Sequence, residues 1–314
     1  MTEQGVPSSL PWHDLSFMEK KSLAGDCRQL WYAQSRDIDR DGKPTIVFLH
    51  GVLRDWRSFY PLLTALRDDA NLVSLDFRGH GQSDSASEYR VMNYVDDAVR
   101  LVNALEGPVL LYGHSLGAMV ALATAARVPE RIKTTVLEDP PFATMGRRLD
   151  GSPLMNYFRS VETVVRKELK SAETRLQKSG LQSRIERLFD AFSNIPVGTD
   201  ANGSVVRLRD QRDETSRRFS AESLASIDPE VLAPITSGQW LEGYSLEELS
   251  ALVKSKVVIL RADAACGGML MKADADLIVK HAPDRREELF FSGVGHSMHW
   301  AQPREIAALV RRHL

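Results

Sequence analysis

The chain has 314 residues, with 40 Lys plus Arg against 42 Asp plus Glu, a formal net charge of −2, and 43% apolar residues. These values exclude a disordered chain and leave no cationic footprint for nucleic acid or an anionic membrane, so the expected partner is a small-molecule substrate. The length suits one large α/β domain or one domain with an insertion, and nothing in the composition speaks to oligomeric state. Cys27 and Cys266 lie far apart without a metal-site or redox spacing and read as free thiols of a reducing compartment. The stretch Met1 to Lys21 mixes charges, prolines and His13 and lacks the apolar core of a signal peptide. No apolar run approaches the roughly 18 residues of a spanning helix, so a cytoplasmic location is expected.

In chain order, short β-branched or leucine-rich runs at Thr45 to Leu49, Leu72 to Leu75, Val109 to Tyr112 and Thr135 to Leu137 predict buried strands. Between them Tyr60 to Leu66, Val91 to Leu105 and the alanine-rich Leu116 to Ala126 repeat at helical spacing. That alternation is the pattern of βαβ units building a parallel sheet. From about Phe142 to Leu252 the character changes to charged amphipathic helices. Phe158, Val161, Val165 and Leu169 mark one face, and Val197 to Arg209 reads as a dividing loop. Strand patterns return at Lys256 to Leu260 and Leu289 to Phe291, and Pro303 to Arg312 predicts a closing helix. The organisation expected is a core of residues 1–142 plus 253–314 carrying a helical cap, 143–252.

The strand Val109 to Tyr112 runs directly into Gly113-His114-Ser115-Leu116-Gly117 and then into the alanine-rich helix. A serine in a tight strand-to-helix turn is thrust out at the sheet edge, and the flanking glycines permit the close approach. Its hydroxyl needs a base to become nucleophilic. His296, in the glycine-rich loop after the last strand pattern, stands where the order Ser, acid, His places it. His299 is a nearby competitor, His80 and His114 read as packing residues near the site, and His281 and His313 as surface residues. The oxyanion hole calls for two backbone donors: the N–H of Leu116, directly after the nucleophile, and that of Val52, after His50-Gly51.

With Asp76-Phe77-Arg78-Gly79-His80-Gly81-Gln82-Ser83-Asp84, Pro129-Glu130-Arg131-Ile132 and Gly295-His296, these motifs resemble the capped α/β hydrolases from about Thr45 to Leu314. The resemblance implies an α/β-hydrolase fold, a mostly parallel central sheet flanked by helices, with an inserted helical cap. It also implies a Ser-His-acid triad whose acid usually follows the strand after the cap, about three residues beyond a small turn residue. With Ala262 in that small position the expected site is Ala265, which cannot serve, though a lengthened loop could bring Asp263 into line. Asp139, after the strand that follows the nucleophile helix, resembles the acid of haloalkane dehalogenases and zearalenone-type lactonases. Both carboxylates therefore stay open, while the Glu138 side chain should alternate to the other face.

A serine at the elbow disfavours the alkyl-ester chemistry of dehalogenases and epoxide hydrolases, which use a carboxylate nucleophile. The expected activity is hydrolysis of an ester or lactone through an acyl-enzyme, with no metal and no organic cofactor. A carbon–carbon bond hydrolase, a cofactor-free haloperoxidase, an acyltransferase or a ligand-binding receptor on the same scaffold would carry the same motifs. Trp240, Tyr244, Tyr157, Phe158 and Met155, with Arg54 and Trp56, are the residues from which a substrate pocket could be drawn.

Overall fold

The structure is a computed structural model that describes residues 14–24, 28–36, 42–146, 149–175 and 180–314. His13, Cys27 and most of the Met1 to Lys21 stretch lie outside the described residues, as does the Leu169 side chain.

Because parallel strands are covered by helices on both faces, they need apolar residues on both sides rather than alternation. Strands β3 (Thr45–Leu49), β4 (Asn71–Asp76) and β5 (Val109–His114) are buried at every position, and β6 (Ile132–Glu138) at every position except Lys133. With β1 (Met18–Leu23), β2 (Leu30–Ser35), β9 (Lys256–Ala262) and β10 (Arg286–Phe291) they form one sheet in the order β1-β2-β4-β3-β5-β6-β9-β10. The ladder from β4 to β10 is parallel, while β1 and β2 add an antiparallel hairpin at the β4 edge. That hairpin is absent from the sequence reading for a physical reason. Its outer strand, Met-Glu-Lys-Lys-Ser-Leu, is the charged kind of strand that protects a sheet edge from further pairing and shows no apolar run.

The helices α1 (Tyr60–Leu66), α2 (Val91–Ala104), α3 (Leu116–Arg127), α10 (Lys272–Lys280), α11 (Met298–Ala301) and α12 (Pro303–Arg311) cover the sheet. Helix α3 is buried continuously from Leu116 to Ala125, which explains why it is apolar all round. It presses so closely on the sheet that a Cβ on Gly117 would lie 1.8 Å from the Leu49 carbonyl oxygen, and one on Gly113 2.2 Å from that of Gly117. The glycines of the elbow are thus required by the packing of strands β3 and β5 against the helix.

Between β6 and β9 run α4 (Pro153–Arg175), α5 (Leu181–Ser193), α6 (Leu208–Gln211), α7 (Glu214–Leu224), α8 (Ala233–Thr236) and α9 (Leu246–Leu252). Phe158, Val161 and Val165 are buried, as the apolar face of α4 requires. The loop expected over Val197 to Arg209 is instead a hairpin, β7 (Pro196–Thr199) with β8 (Val205–Arg207), followed by the start of α6. Its turn is closed by Asp200, whose carboxylate accepts from the N–H groups of Asn202 and Ser204, with Gly203 at a left-handed φ of 78°. An exposed two-stranded ribbon buries too little to leave an apolar signature. Among the described residues no helix is long and apolar enough to cross a membrane.

Candidate active site

Among the described residues three non-glycines adopt a left-handed φ: Leu53 at 65°, Ser115 at 55° and Asp139 at 45°. Strain of this kind costs about 1–3 kcal/mol per residue and persists only where surrounding contacts impose it. Here it concentrates at one place. Ser115 is pinned between strand and helix: its N–H donates to the Glu138 carbonyl at 2.9 Å, and its own carbonyl accepts from Ala118 and Met119. Asp139 is pinned by its N–H, which donates to the Leu260 carbonyl at 2.9 Å. The ends of adjacent strands β5, β6 and β9 thus aim the serine and the aspartate toward the same edge of the sheet.

His296 Nδ1 lies 2.6 Å from Asp139 Oδ2. The Asp139 carboxylate is fully buried and also accepts from the backbone N–H groups of Met269 at 2.7 Å, Leu270 at 3.0 Å and Ala262 at 3.2 Å. Four hydrogen bonds leave it one orientation. The imidazole therefore donates from Nδ1 and keeps Nε2 as the free acceptor. Ser115 Oγ and His296 line the same cavity without a direct hydrogen bond between them, a contact that commonly closes only with substrate in place. Gly295 lets this loop pass the neighbouring one, since a Cβ there would lie 2.5 Å from the Cys266 carbonyl oxygen.

Asp263, the other candidate from sequence, makes no bond to His296. Its carboxylate accepts from Ala265 N–H at 3.0 Å and Gly293 N–H at 2.9 Å, bonds that hold it below the usual carboxylate range. It ties the loop after β9 to the loop that carries His296. The structure brings Asp139, rather than Asp263, to the histidine, because β6 is the immediate neighbour of the elbow strand and Asp139 turns inward at its end.

The loop after β3 is held from behind by histidines. His50 Nδ1 donates to the Gly51 carbonyl and its Nε2 accepts from Phe77 N–H; His80 Nδ1 donates to the Arg78 carbonyl and its Nε2 accepts from Leu53 N–H. A Cβ on Gly51 would lie 3.3 Å from the Ser115 Cβ, so this loop runs directly against Ser115. Among the described residues the N–H groups of Val52 and Leu116 have no intramolecular acceptor. The Asp76 to Asp84 run does structural work beneath the loop: Asp76 accepts from Trp56 and Gln82, and Arg78 pairs with the buried Asp97 at 2.6 Å.

A second buried dyad lies behind the first. Glu138 accepts from His299 Nδ1 at 2.8 Å, His299 N–H at 3.0 Å and Tyr112 Oη at 2.6 Å, while His299 Nε2 meets the Ser58 carbonyl. Burial alone would raise the Glu138 pKa, but His299 and these hydrogen bonds outweigh it and hold the value to about 2. His114 Nε2 donates to the His296 carbonyl at 3.0 Å, and burial keeps this imidazole neutral. His114, Glu138 and His299 are close enough to suggest a metal cluster, yet their atoms are committed to these bonds; only His114 Nδ1 lacks a partner, and one donor does not make a cation site. Through His114 the elbow is tied to the backbone of His296, and through Glu138 and His299 strand β6 is tied to the segment that follows His296. Glu138→Gln, which replaces an acceptor with an amide in a site of three donors, is expected to destabilise by about 3 kcal/mol, read as a lower urea midpoint.

The same groups set a pH dependence. Burial lowers His50 to about 4, His80 to about 3 and His114 well below the ordinary histidine value. Each binds its proton more readily unfolded than folded, so the stability it contributes is present above about pH 6.5 and is lost as pH falls toward 4. Asp76, raised by burial and by Asp55 beside it, works in the opposite sense. Three protons taken up against one released make the uptake dominant. The urea midpoint is expected to fall between pH 7 and pH 5, and a midpoint that rises would contradict the account.

The cavity has a volume of about 360 Å³. From the sequence candidates it is lined by Trp240, Tyr157, Phe158 and Arg54; Tyr244, Met155 and Trp56 pack elsewhere. Sequence reading missed Met145, Phe192, Leu224 and Arg212, which reach it from the segment between β6 and β9.

A strained serine at the strand-to-helix elbow, with a carboxylate-bound histidine in the same cavity, defines a hydrolase-type site on an α/β sheet. Residues 46–309 match the alpha/beta hydrolase family, and the chain belongs to it. A 2-(acetamidomethylene)succinate hydrolase of Mesorhizobium japonicum is 34% identical over 103 residues, 32% of this chain and 37% of that protein. A lipase of Mycobacterium tuberculosis is 33% identical over 109 residues, 34% of this chain and 41% of that protein. These matches span well under half of either relative's length. A Pseudomonas putida deformylase superposes with a TM-score of 0.67 over 93% of this chain and 99% of that one, at 16% identity, a likeness of fold.

Proposed function

We propose that the protein is a serine hydrolase that cleaves a carboxylic ester or lactone of a small molecule through an acyl-enzyme. The observation that carries this reading is the buried Asp139 bonded to His296 in the cavity that Ser115 lines at a strained φ. His296 Nε2 takes the proton of Ser115 Oγ as that oxygen attacks the substrate carbonyl. The N–H groups of Leu116 and Val52 hold the oxyanion, each such donor being worth about 3 kcal/mol. The protonated imidazole, steadied by Asp139, then gives its proton to the departing alkoxide. His296 next deprotonates water, which attacks the acyl carbonyl; as that intermediate collapses the C–Oγ bond breaks, His296 returns the proton to Ser115 Oγ and the carboxylic acid leaves. These steps need only protein groups and water. Residues 143–252 act as a cap whose apolar side chains exclude bulk water from the acyl group.

A second reading keeps the triad and changes the bond. The succinate hydrolase among the relatives supports a carbon–nitrogen or carbon–carbon bond in a substituted dicarboxylate; the lipase supports the ester. A panel of p-nitrophenyl esters of graded chain length, several lactones and 2-(acetamidomethylene)succinate tests both. Turnover of an ester or lactone that vanishes in Ser115→Ala is the expected result. Turnover of the succinate alone would replace the first reading by the second, and turnover persisting in Ser115→Ala would overturn both.

A further inference from the structure

Two cations line the cavity of the nucleophile. Arg54 sits two residues beyond Val52, and Arg212 follows α6 in the segment between β6 and β9. Among the described residues neither guanidinium pairs with a carboxylate, in contrast to Arg57 and Arg78 beside the same loop. Arg57 is held by Asp55 at 2.8 Å and by Glu222 at 2.7 Å, and Arg78 by Asp97. The polar contact of Arg54 is a single hydrogen bond from Nη1 to Ser220 Oγ at 2.6 Å, with its guanidinium 5.3 Å from the centre of the Phe219 ring. The Arg212 guanidinium lies over two aromatic rings, 5.6 Å from that of Tyr157 and 6.0 Å from that of Phe192.

The acids nearby are engaged. Asp55 is spent on Arg57 and on the Ser223 hydroxyl, and Asp213, which lines a smaller neighbouring cavity with Arg54, accepts from Ser216 N–H as the cap of α7. Burial and then the charge of Arg212 lower the Arg54 pKa, yet an arginine remains cationic at neutral pH. Two like charges facing one partly dry space, with planar donors unfilled and Ser216 beside them, form an arrangement that an anion stabilises.

We propose that Arg54 and Arg212 form a carboxylate-binding subsite, so that the substrate is an anionic small molecule with a carboxylate as well as the bond that Ser115 attacks. This deepens the hydrolase reading and rests on it for the second group alone. The carboxylate would lie between the two guanidiniums and fix the acyl carbon over Ser115. The arginines then select substrate by charge, while the aromatic rings beneath Arg212 hold that side chain in place.

The test separates binding from chemistry. Glutarate is titrated into Ser115→Ala by calorimetry, alongside the same variant carrying Arg54→Gln, Arg212→Gln or Arg54→Lys, with glutaramide as the neutral control. Saturable glutarate binding weakened at least tenfold by either Gln substitution, partly restored by Arg54→Lys and absent for glutaramide, is the expected result. No glutarate binding, binding indifferent to both arginines, or equal binding of glutaramide would overturn the subsite. On the wild-type background, kcat/KM for p-nitrophenyl hemisuccinate over that for p-nitrophenyl butyrate is expected to fall at least tenfold in Arg54→Gln. Arginine-dependent glutarate binding without hydrolysis of these two esters or of any ester or lactone in the panel above would keep the subsite and sink the ester reading.

Discussion

Asp139→Asn is expected to lower kcat by about 10⁴-fold, while Asp263→Asn lowers it by less than about tenfold. The amide would present either an oxygen or an NH₂ to His296 Nδ1. The Ala262 and Leu270 N–H groups, both aimed at Oδ1, hold the amide oxygen there and leave the NH₂ against Met269 N–H and His296 Nδ1, so the Met269 bond is lost and the imidazole adopts the wrong tautomer for a base. Asp263→Asn loses one of two backbone bonds in a loop tie and leaves the Asp139 to His296 bond untouched. Comparable losses in the two variants, both folded by circular dichroism, would refute the assignment of Asp139.

Ser115→Ala is expected to remove about 10⁶-fold of kcat with little change in KM, and His296→Ala nearly as much. The double variant should be no worse than either single one, because the two groups perform one step. A clear further loss in the double variant would mean that they act separately. Ser115→Gly is expected to stabilise the fold by about 1 kcal/mol, since glycine accepts the left-handed φ of 55° without penalty. That gain would show that the nucleophile is held at the expense of stability.

How much of this was legible in the sequence depends on what each feature buries. Strands β3 to β6 and β9 are apolar because helices cover both of their faces, so their runs stood out, as did the elbow with its two glycines. The edge strand β1 and the β7 and β8 ribbon bury little and left no pattern. At the site, Ser115 and His296 were marked by glycines and chain order. The choice between Asp139 and Asp263 was not, because it turns on the order β5-β6-β9 and on a backbone angle at Asp139, neither of which a residue pattern expresses. Glu138 illustrates the same limit. Alternation placed its side chain on the face opposite Asp139, but only the fold brings His299 and Tyr112 to it. The arginine pair was half visible: Arg54 follows the His50-Gly51 loop after β3, whereas Arg212 reaches the cavity from 158 residues further along the chain.

Covalent trapping tests the central claim most directly. The wild-type protein is treated with a fluorophosphonate, and the modified peptide is located by mass spectrometry, in parallel with Ser115→Ala and His296→Ala. A rapid adduct on Ser115 alone, absent in the first variant and slowed by orders of magnitude in the second, is the result expected of a Ser115, His296 and Asp139 hydrolase. An unlabelled Ser115, or a labelling rate that His296→Ala leaves unchanged, would contradict it.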